Sequence, residues 1–209
     1  MNRVAAQTQR GTRELWLDAA YEALVEGGVE AVRVMPLAEN LSVSRTSFYW
    51  HFEDRDALLN ALIAHWRDKN TGNLIRQTRL FAETICEAVL NLFDCWIDPD
   101  LFDARLEFAM RNWSQSSAEL KETFRETDRE RIEAIRDMFA RFDFDPYQAD
   151  IRANAIYLTQ VGYISIEAEE PLPERIRRMP AYVETFTGRA PSQSEIDRFM
   201  ARHRSRLDG

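Results

Sequence analysis

Leu37-Ala38-Glu39-Asn40-Leu41-Ser42-Val43-Ser44-Arg45-Thr46-Ser47-Phe48-Tyr49-Trp50-His51-Phe52 is the stretch on which the reading of this 209-residue chain turns. Two short helical segments, near 34–41 and 45–51, flank Ser42-Val43-Ser44. Ser44 is a natural N-cap for the second, because its side-chain oxygen can accept from the new helix's first N–H groups. Two short helices joined by a tight turn can seat the second across the major groove of a duplex. Phe48 and Phe52, four residues apart, mark an inward face. That leaves Arg45, Thr46, Ser47, Tyr49, Trp50 and His51 facing outward or sideways. Arginine, hydroxyls and aromatics with no carboxylate suit an anionic, base-bearing groove. Core packing of Tyr49 and Trp50, and a structural role for His51, stand as the competing readings of those three.

Outward from this stretch the pattern is helical throughout, with no convincing β alternation. A helix over 11–27 carries Leu17, Ala20, Tyr21 and Leu24 on one stripe and closes at Gly27-Gly28. Asp54 caps a helix over 54–70 bearing Leu58, Leu62 and Trp66, and a helix over 78–97 carries Phe81, Ile85, Val89, Leu92 and Trp96. Asp98-Pro99 reads as cap plus first-turn proline for 99–114, and Asp145-Pro146 does the same for 146–169. Capping boxes at Ser116–Glu119 and Ser192–Glu195 predict helices to about 142 and 206. The proline-punctuated piece 171–187 is expected to hold a short helix. The predicted fold is all-α, with an N-terminal three-helix helix-turn-helix module, 1–56, and a C-terminal helical bundle, 57–209, that dimerises. The helix 54–70 connects them.

Composition narrows the function classes. A hydrophobic fraction of 45% with 30% charged residues is that of a globular protein, not a disordered one. No run of about 18 apolar residues is present, so no membrane partner is expected. Two cysteines make no disulfide framework, and residues 1–13 lack the apolar block of a secretory signal; a cytoplasmic setting is expected. Three histidines without ligand spacing give no metal site. No nucleophilic triad, glycine-rich phosphate loop or paired-carboxylate motif appears, so neither catalysis nor a cofactor is expected. The net charge of −8 argues against indiscriminate coating of nucleic acid. Residues 1–56 hold six Arg against nine Asp or Glu. Binding must then come from a few placed contacts. Arg3, Arg10 and Arg13 form either an arm for phosphates or a frayed tail.

The segment from Ala20 to Leu58 resembles the tetracycline-repressor (TetR) family. Ala20, Leu24 and Gly28 match its first helix, Leu37-Ala38 its second and Ser42-Val43-Ser44 its turn. Phe48-Tyr49-Trp50-His51-Phe52, with Arg55 and Leu58, completes the pattern without a gap. Ser42 replaces the usual turn glycine, so it must enter the left-handed region or the turn must differ. The resemblance implies a sequence-specific, ligand-responsive regulator, in most such proteins a repressor, binding a palindromic operator as a homodimer. It places Thr46, Ser47 and Trp50 near bases, Tyr49, His51 and Arg55 near phosphates, Arg33 as a further phosphate contact, and Arg45 at either. A helical DNA-binding protein with no small-molecule effector is the alternative.

For the bundle, the resemblance implies an effector pocket between helices, with Trp66, Phe93, Trp96, Phe108, Trp113, Phe124 and Tyr157 as candidate lining. Ordinary core packing explains the same aromatics. Asp128 and Arg131 interrupt an apolar stripe; they form either an internal network or a polar contact to the effector. Ala155, Leu158, Gly162 and Ser165, with Ile196 and Phe199 of the last helix, are the candidate dimer interface, unless helix 146–169 is the centre of a monomeric core.

Overall fold

A computed structural model describes residues 12–207. Among these residues the fold is helical with no strand. The arm with Arg3 and Arg10 lies outside them. The chain divides into two compact units: residues 1–68 with 105–121, and residues 69–104 with 122–209.

The N-terminal unit holds α1 (Arg13–Gly27), α2 (Val34–Asn40), α3 (Arg45–Phe48) and α4 (Arg55–Trp66), with most of α7 (Ala104–Ser114). Thr12 caps α1 by accepting from the Leu15 amide at 3.2 Å. Gly28 then takes φ +72°, a left-handed value that a side chain would resist. Pro36 falls within the first turn of α2, where a missing N–H removes no helical bond. The expected strain at the next turn is present, since Ser42 has φ +53°. The Val43 amide reaches the Ala38 carbonyl and the Ser42 amide the Glu39 carbonyl, both at 3.0 Å. That double closure is a Schellman motif with serine in the seat glycine usually fills. Regular α3 stops at Phe48, and 3₁₀-type bonds carry the chain through Tyr49, Trp50 and His51.

Trp16, Ala20, Leu24, Val32, Leu37, Phe48, Leu58, Leu62 and Trp66 fill this unit's core. Trp16 meets Phe48 edge-on, with ring centroids 5.2 Å apart. The buried Glu107 carboxylate accepts from the Trp66 indole at 2.6 Å and pairs with Arg111 at 3.0 Å, so a buried charge has charged and neutral donors around it.

The C-terminal unit is built on α6 (Ile85–Ile97), which is buried almost all round and packs against α5 (Asn73–Thr78), α10 (Leu172–Thr187) and α11 (Gln193–Arg202). A helix buried on nearly every side belongs at the centre of its unit. α8 (Ala118–Ala140), whose first turn lies in the other unit, and α9 (Pro146–Ser165) make up most of the remainder, and a short α12 (Arg204–Leu207) follows α11. Buried polar groups on α6 are matched from the end of α11. Arg202 pairs with Asp94 at 3.0 Å and His203 Nε2 lies 2.8 Å from the same carboxylate. Arg198 pairs with Glu87, and Arg206 with Asp98. Burial raises both the Cys86 and Cys95 thiols above their ordinary value, Cys95 the more strongly.

Several helix boundaries differ from the sequence-based expectation, each for a local reason. Helix 78–97 begins only at Ile85, because Thr84 accepts from the Glu87 amide at 3.1 Å; Phe81, expected on its buried stripe, is 85% exposed. Asp98-Pro99 forms a turn, not a helix start. Asn70 holds residue 103 through both its amide and its carbonyl, at 2.9 and 3.0 Å, and α7 starts at Ala104. The cap of α8 is Ser117, one residue beyond the expected Ser116. The expected α-helix 54–70 ends at Trp66, with a π-helical turn over Arg67–Gly72. The piece expected to hold a short helix is one helix of 16 residues that runs through Pro180. A proline there deprives the Ile176 carbonyl of its helical donor. Burial of Ile176, Met179, Val183 and Thr187 holds the helix together across that gap. Asp145-Pro146 and Ser192–Glu195 start α9 and α11 as expected.

Candidate nucleic-acid interface

Phe48, fully buried, pins α3 to the core through Trp16 and through stacking on Phe52 at 5.5 Å. With that anchor set, Arg45, Thr46, Tyr49 and Trp50 are exposed, Trp50 at 67%. Burial of Tyr49 and Trp50 as core is thus set aside. The Arg45 guanidinium donates to the Tyr49 hydroxyl at 2.9 Å and lies 5.6 Å from its ring centroid. The two form one cationic, aromatic prow whose phenol keeps its own proton to donate. His51 is half-buried behind it.

Three expectations need correction or refinement. Ser47 does not face outward: it is 4% exposed, and its hydroxyl is buried with no partner among the described residues. It follows Thr46 by one position, and 100° of helical rotation takes it under the edge of the module. Arg55 is half-buried, its guanidinium donating to the carbonyls of Val32 and Val29 at 2.6 Å each. It thus ties the 3₁₀ turn Val29–Ala31 to α4. Arg33 is exposed but also bonded locally, Nε donating to the Glu30 carbonyl at 2.7 Å.

In the C-terminal unit a cavity of about 30 Å³ lies between α6, α9 and α10. Of the expected pocket residues, Phe93 and Trp96 line it, joined by Ile156, Tyr163, Tyr182 and Phe186. Trp66, Phe108 and Trp113 belong to the other unit and are not part of it. Phe124 is buried elsewhere in the C-terminal unit. Arg131, wholly buried, donates to Thr71 at 2.9 Å and to the Tyr157 hydroxyl at 3.1 Å, and Tyr157 donates to Asp128 at 2.5 Å. Asp128, Arg131 and Tyr157 thus form an internal network, the first of the two readings the sequence left open. The cavity residues on α10 were missed, although Arg175, Met179, Tyr182 and Phe186 repeat at helical spacing.

On α9, Ile151, Ala155, Leu158 and Ser165 are exposed and Gly162 is half-buried. The reading of this helix as all-round core fails, since Leu158 is 59% exposed. On α11 the expectation is half corrected. Ile196 is half-buried, but Phe199 is 1% exposed, edge-on to His203 at 4.8 Å, inside its own unit. The ion pairs from α11 to α6 turn that face inward.

Residues 17–62, from α1 into α4, match the model of the bacterial regulatory proteins of the tetR family. Tetracycline repressor protein class D of Escherichia coli is 40% identical over 53 residues, which is 25% of this chain and 24% of the repressor. Class G of Vibrio anguillarum is 40% identical over 57 residues, 27% of each chain. The chain thus spans about a quarter of the length of these relatives. The fold is like that of a putative TetR-family transcriptional regulator structure from Mesorhizobium loti, at a TM-score of 0.57 and 13% identity, covering 96% of this chain and 98% of that one. Among the described residues no helix is long and apolar enough to cross a membrane, and no cluster of three or more His, Cys, Asp or Glu is placed to hold a metal ion.

Proposed function

We propose that this chain, a TetR-family protein by the domain at residues 17–62, is a ligand-responsive transcriptional repressor that binds a palindromic operator as a homodimer. The observation that carries the reading is α3: a helix anchored by one buried phenylalanine that leaves Arg45, Thr46, Tyr49 and Trp50 in solvent. On this reading Thr46 and Trp50 approach base edges, Tyr49 and His51 approach phosphates, and Arg45 serves either. Arg55 acts by holding the module's shape, and Ser47 lies buried beneath the contact face. Arg33 is left as an auxiliary phosphate contact.

Support for self-association comes from α9. Ile151, Ala155, Leu158 and Ser165 make an uncharged exposed stripe that the half-buried Gly162 continues. A Cβ built on Gly162 meets nothing within 4 Å in this chain, so the chain's own packing gives no reason for glycine there. Within a helix it costs about 1 kcal/mol relative to alanine, a sacrifice that close approach of a second α9 would explain. A dimer would present two α3 helices to two half-sites about one turn of DNA apart. The cavity between α6, α9 and α10 is the candidate effector site. Its volume of about 30 Å³ is far below the several hundred Å³ of a drug-sized pocket. That is the observation favouring the second reading, a DNA-binding protein without an effector.

Selection from a random duplex pool, followed by gel shift, tests the proposal. A two-fold symmetric site is expected, with binding weakened by Arg45→Ala and Tyr49→Ala and a modest dependence on salt set by the few phosphates contacted. Recovery of no preferred sequence would sink it.

A further inference from the structure

Two hydrogen-bond donors on the walls of the α6–α9–α10 cavity are poorly served. The Trp96 indole N–H is buried with no acceptor among the described residues. Arg175, half-buried, has no carboxylate within ion-pair distance among the described residues. Its one hydrogen bond is a long 3.4 Å contact to the Gln160 carbonyl oxygen, and its guanidinium lies 5.3 Å from the Tyr163 ring centroid. Burial lowers the pKa of Arg175 from its ordinary value, with Tyr163 and Glu170 opposing the shift. Glu170 is engaged by others: the Tyr163 hydroxyl donates to it at 3.0 Å and Arg178 pairs with it.

Aromatic rings make up much of the rest of the wall, beside Ile156, Thr159, Gln160 and Met179. Phe93 tilts against Trp96 at 5.3 Å, and Phe186 meets both Phe93 edge-on at 6.3 Å and Tyr182 face-on at 6.1 Å. A half-buried guanidinium without a carboxylate and a buried indole N–H without an acceptor both lack an acceptor, and one that carries negative charge suits the guanidinium best. The unbranched Met179 side chain on the same wall can move aside as a guest enters.

We propose that this cavity takes a small apolar or aromatic acid, its carboxylate on Arg175 and its body among Phe93, Trp96, Tyr182 and Phe186. This rests on the ligand-responsive reading above and names the chemical class of the effector. The test uses the full chain and the probes phenylacetate, 3-phenylpropionate and 4-phenylbutyrate, each beside its neutral amide and its cationic amine, read by calorimetry and tryptophan fluorescence. At least one acid is expected to bind about tenfold or more tighter than its amide, a gap set by one charge-assisted hydrogen-bond pair. Arg175→Met closes that gap, and Arg175→Lys restores part of it. Binding of no acid, equal or tighter binding of an amide or amine, or an Arg175→Met chain that still prefers acid would each overturn the proposal. Should Arg175→Met fail to fold, the acid-against-amide comparison in the unaltered chain decides alone. The two readings fail separately. A chain that prefers acids but selects no DNA sequence refutes the regulator and keeps this site. One that selects DNA and ignores the charge of the probe does the reverse.

Discussion

On α3 the exposed aromatics Tyr49 and Trp50 stand beside Arg45 and Thr46; on α9 exposed Ile151 and Leu158 stand beside Ala155, Gly162 and Ser165, with no charge among them. Both faces expose large apolar groups to solvent, but the company they keep points to different partners. A guanidinium braced on a phenol offers directed donors to an anionic, hydrated groove. A stripe of aliphatic and small residues offers only shape and area, which another helix of the same kind can match.

The largest effect that would break this comparison is expected on α9. Leu158→Arg should weaken self-association by on the order of a hundredfold, because a dry helix–helix contact would have to bury an unpaired charge. Sedimentation should then show a monomer with an unchanged helical spectrum; an unaltered oligomer would remove α9 as the interface. On α3, Arg45→Ala and Trp50→Ala should each lower specific DNA affinity about tenfold with no change in melting temperature, since both side chains stand in solvent. A parallel loss of stability would mean that they hold the fold instead. Ser47→Ala sharpens the contrast from beneath the same helix. It should leave DNA affinity alone and raise stability by about 1 kcal/mol, the order of an unpaired buried hydroxyl. Weakened DNA binding in that variant would restore Ser47 to the contact face.

A pH effect is expected at the N-terminus of α11. Burial pulls the Glu195 carboxyl up, but hydrogen bonds from Thr84 and Ser192 outweigh it and hold the pKa below its ordinary value. Its contribution is therefore complete above the unfolded carboxyl's pKa and drains away as pH falls through the folded one. Melting temperature should drop faster below about pH 5 in the native chain than in Glu195→Gln. The smallest effect is Ser42→Gly, which should add about 0.5 kcal/mol by relieving a left-handed serine, offset in part by the freer unfolded chain.

What was legible in the sequence follows the reach of each signal. Caps and turns are written in adjacent residues, so Asp145-Pro146, Ser192–Glu195 and the strain at Ser42 could be read directly. The cap at Thr84 is masked in the sequence by the more conspicuous apolar stripe that follows it, and with it the exposure of Phe81. Direction proved harder than existence. The outward faces of Thr46 and Trp50 were readable from the place of Phe48, whereas Ser47 lies near the boundary where a few degrees of rotation decide burial. Arg55 and Arg175 show what pattern cannot supply. The first is fixed by carbonyls more than twenty residues away, and the second belongs to a cavity whose third wall is a helix that the prolines of 171–187 disguise in the sequence.

Pro180 lies in α10 between two residues that line the cavity, Met179 and Tyr182. By withholding a donor from the Ile176 carbonyl, it leaves α10 a softer rod at mid-length than its sixteen residues would otherwise make. Any guest that had to widen so small a hollow would meet its least resistance where the helix is already missing a rung.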